Sequence, residues 1–325
     1  MKAQPNNSLV SRILLSVCAI ALSCVVGPTS YAVPQAKTKS AGTSTVKQTT
    51  FATSKEAADA LIQAAGQFDV PTLLAIVGPG AADLVVTKDE VQDKERAATF
   101  AAKAQEKTSV TPDPKNPNRV ILSVGNEDWP YPVPIVKRNG RWYFDVLTGR
   151  KEILDRRIGA NELDAITICR GYVDVQKQYA LQAHDGVNQY AQKIISTPGK
   201  QDGLAWQNAD GTWGGPVGEG IAKALQQGYS SKAQPYHGYY FKILKGQGPD
   251  APLGRMDFVV KGVMIGGFAL VAVPADYRVT GVKTFIVSYE GIVYQKDLGP
   301  TSLEIVKKME LYNPDRTWLR TDDAW

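Results

Sequence analysis

Two alternating segments, PVPIVKR (132–138) and RWYFDV (141–146), are separated by Asn139-Gly140 alone. Asn and Gly adopt positive φ more readily than other residues, and a two-residue loop of that kind matches the twist of paired strands. The spacing predicts an antiparallel hairpin. That one feature excludes an all-helical chain and an all-parallel sheet. The residues before it read as helices. In FATSKEAADALIQAAGQFD, Thr53 and Glu56 have capping-box spacing, and Ala57, Leu61, Ala64 and Phe68 share a helical face. Asp69, Pro71 and Gly78-Pro79 bound a second, short helix, and 89–107 reads as a third. RVILSV (119–124) adds a strand. Helices followed by antiparallel strands make residues 51–158 an α+β unit.

Downstream the pattern repeats with a longer helix. Gly159 is expected to break the segment after the hairpin, with Asn161 as the next cap. Ala165, Ile168, Tyr172, Val175 and Tyr179 then recur at intervals of three and four. Turn dipeptides at Asp185-Gly186, Pro198-Gly199, Asp202-Gly203 and Asp210-Gly211 mark a loop-rich stretch. Strands follow in YHGYYFKIL, MDFVV, IGGFALVAV, KTFIVSY and IVYQK, and a last helix is expected from Thr301 with Glu304 completing its cap. The fold class is α+β in two domains, 51–158 and 159–325.

Before them, Lys2 and Arg12 precede the apolar run Ile13 to Val26, which ends near the small-residue site Ser30-Tyr31-Ala32. Residues 1–32 therefore read as a signal peptide cleaved after Ala32, and residues 33–50 as a disordered tether. The alternative is lipid anchoring at Cys24. The mature chain is expected in the periplasm or outside the cell, with no transmembrane helix. Of the three cysteines only Cys169 lies outside the leader, so no internal disulfide is available. The net charge of +5 is accounted for by Lys2, Arg12, Lys37, Lys39 and Lys47. The body is thus near neutral, and without a basic stripe it offers nothing to nucleic acid.

The motifs EDWPYPVPIVKRNGRWYFD, RRIGANELDAITICRGYVDVQKQYA, STPGKQDGLAW, PYHGYYFKIL and MIGGFALVAVPADYRVTGVKTFIVSYEGIVYQKDLG resemble the bacterial exported-protein family Domain of Unknown Function 2950 from Phe51 to Trp318. The resemblance implies export and no particular activity. The first unit also resembles the cone-shaped nuclear-transport-factor-2-like (NTF2-like) fold. The second resembles the globular head of type IV pilins and pseudopilins, with 161–180 as spine and the strands of 236–296 as sheet. It lacks the apolar helix from which pilins assemble.

Few side chains here carry chemistry. His237 belongs to an alternating strand, where it shares a face with Tyr239 and Phe241. It reads as a half-buried sheet residue or as a general base beside a carboxylate. Glu127 and Asp128 read as turn residues or as acids walled by Trp129, Tyr131 and Trp142. Lys200, Asp202 and Trp206 read as a pinned surface loop or as a grip on a sugar or peptide. Asn208 and Asp210 lack the full calcium-loop ligand series, and two histidines and one cysteine make no zinc spacing. No G-x-S-x-G elbow or phosphate loop occurs. No catalytic residue, metal set or cofactor is assigned. Two functions follow: a non-enzymatic module that contacts a protein partner in the cell envelope, or a periplasmic enzyme or small-ligand binder using a pocket in the first domain.

Overall fold

The computed structural model describes residues 47–229 and 234–321. The leader, Ala32, Cys24 and most of the tether lie outside the described residues. Gln48 and Thr49, assigned to the tether, are instead bonded to the folded body. The Gln48 amide donates to the carbonyls of Ile76 (2.9 Å) and Phe144 (2.8 Å), and the Thr49 amide to Ala75 (2.9 Å).

Four helices come first: α1 Ser54–Gln67, α2 Val70–Val77, α3 Ala82–Val85 and α4 Glu90–Glu106. The cap on α1 forms as the spacing predicts. Thr53 Oγ1 accepts from the Glu56 amide (3.1 Å), while the Glu56 carboxylate accepts from Ala52 (3.1 Å). Five strands follow: β1 Thr108–Asp113, β2 Asn116–Val124, β3 Trp129–Pro130, β4 Ile135–Arg138 and β5 Arg141–Phe144. They pair antiparallel in the order β1-β2-β4-β5, with β3 beside β2. Asn139 and Gly140 take φ of 51° and 76°, so the hairpin has the turn its sequence demands. β1 and β3 escape the hydrophobic pattern because β1 buries only one of its six residues and β3 has only two residues. Leu61, Ile76, Leu122, Ile135 and Phe144 anchor the first apolar cluster.

Helix α5 runs unbroken through 34 residues, Val146–Tyr179, about 50 Å at helical rise. The expected break at Gly159 does not occur. One mid-helix glycine costs only about 1 kcal/mol against alanine, and buried side chains on both sides hold the helix together. Asn161 is therefore no cap; it is a fully buried helix-interior residue. At its start α5 crosses close to the chain before β4. A side chain at Gly149 would stand 2.7 Å from the Pro132 carbonyl.

The C-terminal half of α5 lies on a second sheet. After α6 (Gly218–Gln227) come β6 Tyr239–Leu244, β7 Ala269–Pro274, β8 Thr284–Ser288 and β9 Val293–Lys296, then α7 Ser302–Lys308 and β10 Leu319–Arg320. The five strands pair antiparallel in chain order, a meander. β7 and β8 are buried at every position, which is why they read as continuous apolar runs. Tyr172, Tyr239, Phe268 and Phe285 centre the second cluster. The expected cap on α7 fails. Thr301 has ψ of 13°, outside the extended range a capping residue uses, and Glu304 pairs with Lys307 (2.7 Å) instead. Lys242 of β6 closes the other end of α7, donating to the carbonyls of Lys307 (3.0 Å) and Met309 (2.7 Å).

Candidate functional site

A cavity of about 600 Å³ opens between α1, α2, α4, the first sheet and the first half of α5. Ligand pockets typically span roughly 300–1,000 Å³. Leu61, Phe68, Leu73, Val77, Phe100, Val124, Val133 and Ile153 give it apolar walls. Tyr131 lines it among aromatic neighbours, with ring centroids 5.2 Å from Phe100 and 6.1 Å from Phe144. Burial pushes the Tyr131 hydroxyl up to about 12, and that hydroxyl has no hydrogen-bond partner among the described residues. Trp129 also lines the cavity, under the Arg156 guanidinium at 4.9 Å.

The polar end is built from two matched stripes. Asp89, Asp93 and Arg96 follow one another at intervals of four and three from the cap of α4 inward, and Arg157, Asn161 and Asp164 do so on α5. Each triple therefore occupies one helical face, and the two faces meet. Arg96 Nη2 donates to Asn161 Oδ1 (2.7 Å), and Asn161 Nδ2 donates to the Thr280 carbonyl (2.8 Å). Arg157 spends both terminal nitrogens on the carbonyls of Asp83 (2.6 Å) and Leu84 (2.7 Å). Asp93 accepts from the amide (2.5 Å) and hydroxyl (3.2 Å) of Thr87. Burial raises the Asp93 carboxyl despite those bonds and the nearby arginines, and it lowers both guanidiniums. For Arg96 that loss of hydration outweighs the pull of Asp93, Asp89 and Asp164.

His237 closes the cavity rim, and its geometry corrects the strand reading. His237 and Gly238 have φ of 50° and 74°, and Tyr236 and Tyr239 exchange amide–carbonyl bonds of 2.8 and 3.1 Å across them. This is a two-residue type I′ turn, so His237 precedes β6 and does not share its alternation with Tyr239. The turn is clamped from beneath. Buried Asp89 accepts from the Gly238 amide (3.0 Å), the Tyr229 hydroxyl (3.0 Å) and the Gln92 amide (3.1 Å). A side chain at Gly238 would run into the Asn161 amide and Thr280. His237 Nδ1 lies 2.5 Å from the Asp164 carboxylate, which leaves Nε2 as the ring's remaining polar atom.

The cavity thus unites Trp129, Tyr131 and His237, which the sequence proposes separately. Glu127 and Asp128 do not join them. Both are exposed and pair with Lys103 (3.1 Å) and Lys107 (2.8 Å). Trp142 faces Phe51, with which it exchanges backbone bonds of 2.8 and 2.9 Å. Tyr239 is a core residue; its hydroxyl donates to the Lys283 carbonyl (2.9 Å). Lys200 is exposed, and Trp206 packs over Gly214 and Gly215. Asp202 accepts from Lys193 (2.8 Å) and from the Thr197 amide (2.7 Å). Burial pushes Asp202 up, but these bonds outweigh it and bring the carboxyl down to about 2. Asp202 lines a second cavity of about 350 Å³, which Lys200 and Trp206 do not reach. Asp210 accepts from Thr212 (3.0 Å) as a turn residue, and no group of three or more His, Cys, Asp or Glu fit to hold a metal occurs among the described residues.

Sequence reasoning misses Arg96, Arg157 and Asp164. The signal is present: RRIGANELD carries a charged residue, an amide and an acid on one helical face, in line with the apolar stripe that Ala165, Ile168 and Tyr172 continue. Reading Asn161 as a cap hid it.

Fold and site together define an α+β protein with an apolar cavity whose charged end is shared by α4, α5 and the His237 turn. The chain belongs to the family described as "Protein of unknown function (DUF2950)", which it matches over residues 48–321. No curated protein and no solved structure matches it. The pilin-head and NTF2-like likenesses are not confirmed by either comparison.

Proposed function

We propose that this is an exported, non-enzymatic protein that binds a small, largely apolar ligand in the cavity. The observation that carries the reading is the cavity itself, about 600 Å³ with apolar walls and polar groups confined to one end. Protein interiors pack as densely as organic crystals, so a space of this size among leucines and aromatics serves an occupant better than it serves stability. Export is supported by the leader-like sequence of residues 1–32. The test is binding of the neutral fluorophore N-phenyl-1-naphthylamine. A saturable signal is expected, and Ala97→Trp, which fills the cavity from α4, should abolish it. Equal binding by wild type and Ala97→Trp, or none by wild type, overturns the reading.

A second reading, a cell-envelope module acting on a protein partner, is favoured by one observation. α5 lies on a five-stranded antiparallel sheet, and its last strand, β10, exposes Leu319. Affinity capture from crosslinked envelopes tests it. A dominant pilus, secretion or envelope partner is expected, and strict recovery of the protein alone counts against it.

A further inference from the structure

We infer that the ligand carries an acidic head, and that Arg96 and His237 bind it as a carboxylate while the apolar body fills the cavity. The inference rests on the cavity reading and extends it through an accounting of hydrogen bonds at the polar end. Three acids there already hold donors, while Glu95, which also lines the cavity, is exposed to solvent. Asp89 takes three donors, Asp93 takes two from Thr87, and Asp164 takes His237 Nδ1. Arg157 has both terminal nitrogens on carbonyls. Arg96 is different. It is largely buried and lines the cavity, yet its only hydrogen bond among the described residues is the one to Asn161. Its Nε and Nη1 remain unspent, and an arginine presents such donors in a planar fork that matches a carboxylate in two parallel bonds.

His237 supplies the second contact. With Nδ1 on Asp164, Nε2 is the ring nitrogen left to meet a ligand, and it donates when the ring carries both protons. The first residue of a type I′ turn is ordinarily Asn, Asp or Gly, and here a histidine accepts positive φ at a site clamped by Asp89. The Tyr131 hydroxyl, also unpaired, lines the same cavity. Away from solvent, the unspent groups at the cavity are the Arg96 Nε and Nη1 donors and the Tyr131 hydroxyl, and a ligand completes them by bringing acceptors. A cationic head would meet a guanidinium that repels it, with Glu95 at the solvent-exposed side as the one lining acid without a bonded partner among the described residues.

The test displaces N-phenyl-1-naphthylamine with dodecanoate, dodecanol and dodecylamine, each below its micellar concentration. Dodecanoate is expected to compete about tenfold to a hundredfold better than dodecanol, the range for a charge-assisted pair. Arg96→Gln should remove most of that preference and leave dodecanol unchanged. His237→Asn keeps a residue the turn favours, so it should fold as wild type and lose part of the preference. Where Arg96→Gln fails to fold, Arg96→Lys gives the same reading, because it keeps the charge without the fork. Equal competition by acid and alcohol, tighter binding of the amine, or a preference untouched by both variants overturns the inference while leaving the cavity reading standing. Failure of the fluorophore to bind removes both.

Discussion

Asn161→Ala is the substitution that most directly tests how the polar stripes hold the molecule together. Asn161 is fully buried and joins Arg96 on one side to the Thr280 carbonyl on the other. Alanine removes a neutral hydrogen bond, worth about 1 kcal/mol, and a bond to a charged group, worth about 1.5–3 kcal/mol. The expected loss is therefore about 2.5–4 kcal/mol. At about 2–4 °C per kcal/mol for chains of this order, the Tm should fall by roughly 5–15 °C. Thermal unfolding followed by tryptophan fluorescence and far-ultraviolet circular dichroism measures it, and coincident transitions license the conversion. A double-mutant cycle isolates the pair: Arg96→Met, Asn161→Ala and both together should show a coupling of about 1.5–3 kcal/mol. A coupling below about 0.5 kcal/mol, with Asn161→Ala as stable as wild type, would refute the reasoning that the two helices are joined through this amide.

Gly238→Ala should cost at least about 1–2 kcal/mol, because it adds a Cβ at φ 74° and drives it into Asn161; an unchanged Tm counts against the turn geometry. Lys242→Met should cost about 1–2 kcal/mol by leaving the carbonyls at the end of α7 without their cation, and it should speed amide hydrogen exchange in that helix. Asp202 has a folded-state pKa of about 2, below its ordinary value. Its contribution is thus present above about pH 4 and is lost as pH falls toward 2. Asp202→Asn should flatten the fall in stability over that window, and identical acid profiles would contradict it. Cys169 is fully buried, and burial pushes its thiol up. Mass-mapped alkylation should label it only in denaturant, and rapid labelling of the native protein would show the core to be open.

The local grammar of the chain is largely legible. The cap at Thr53, the helix from Asp89 to Lys107 and the Asn139-Gly140 hairpin follow from short-range rules, and tertiary packing reinforces each. Misreadings arise where distant residues decide the outcome. Gly159 and Asn161 carry the marks of a helix boundary, yet partners from α3, α4 and the Thr280 loop make that stretch helix interior. PYHGYY alternates like a strand, but His237-Gly238 is a turn because Asp89, some 149 positions earlier, holds the Gly238 amide. The site suffers most from this. Trp129, Tyr131 and His237 stand out by type, whereas what unites them is a helix pairing that no local window contains. Glu127 and Asp128 mislead for the opposite reason, since proximity in sequence to Trp129 placed them near a cavity from which their turn directs them away.

The separation between Arg96 and the His237 turn sets an order on assembly. The apolar walls of the cavity are complete in the chain by Ile153, but the rim waits for His237 and Thr280. Without those residues, Asp89 would lack its bond from the Gly238 amide and the amide of Asn161 would lack its Thr280 acceptor. A chain lacking its carboxyl-terminal part should therefore expose the apolar walls, and exposed walls of that kind invite association. Contacts this distant in sequence also form slowly.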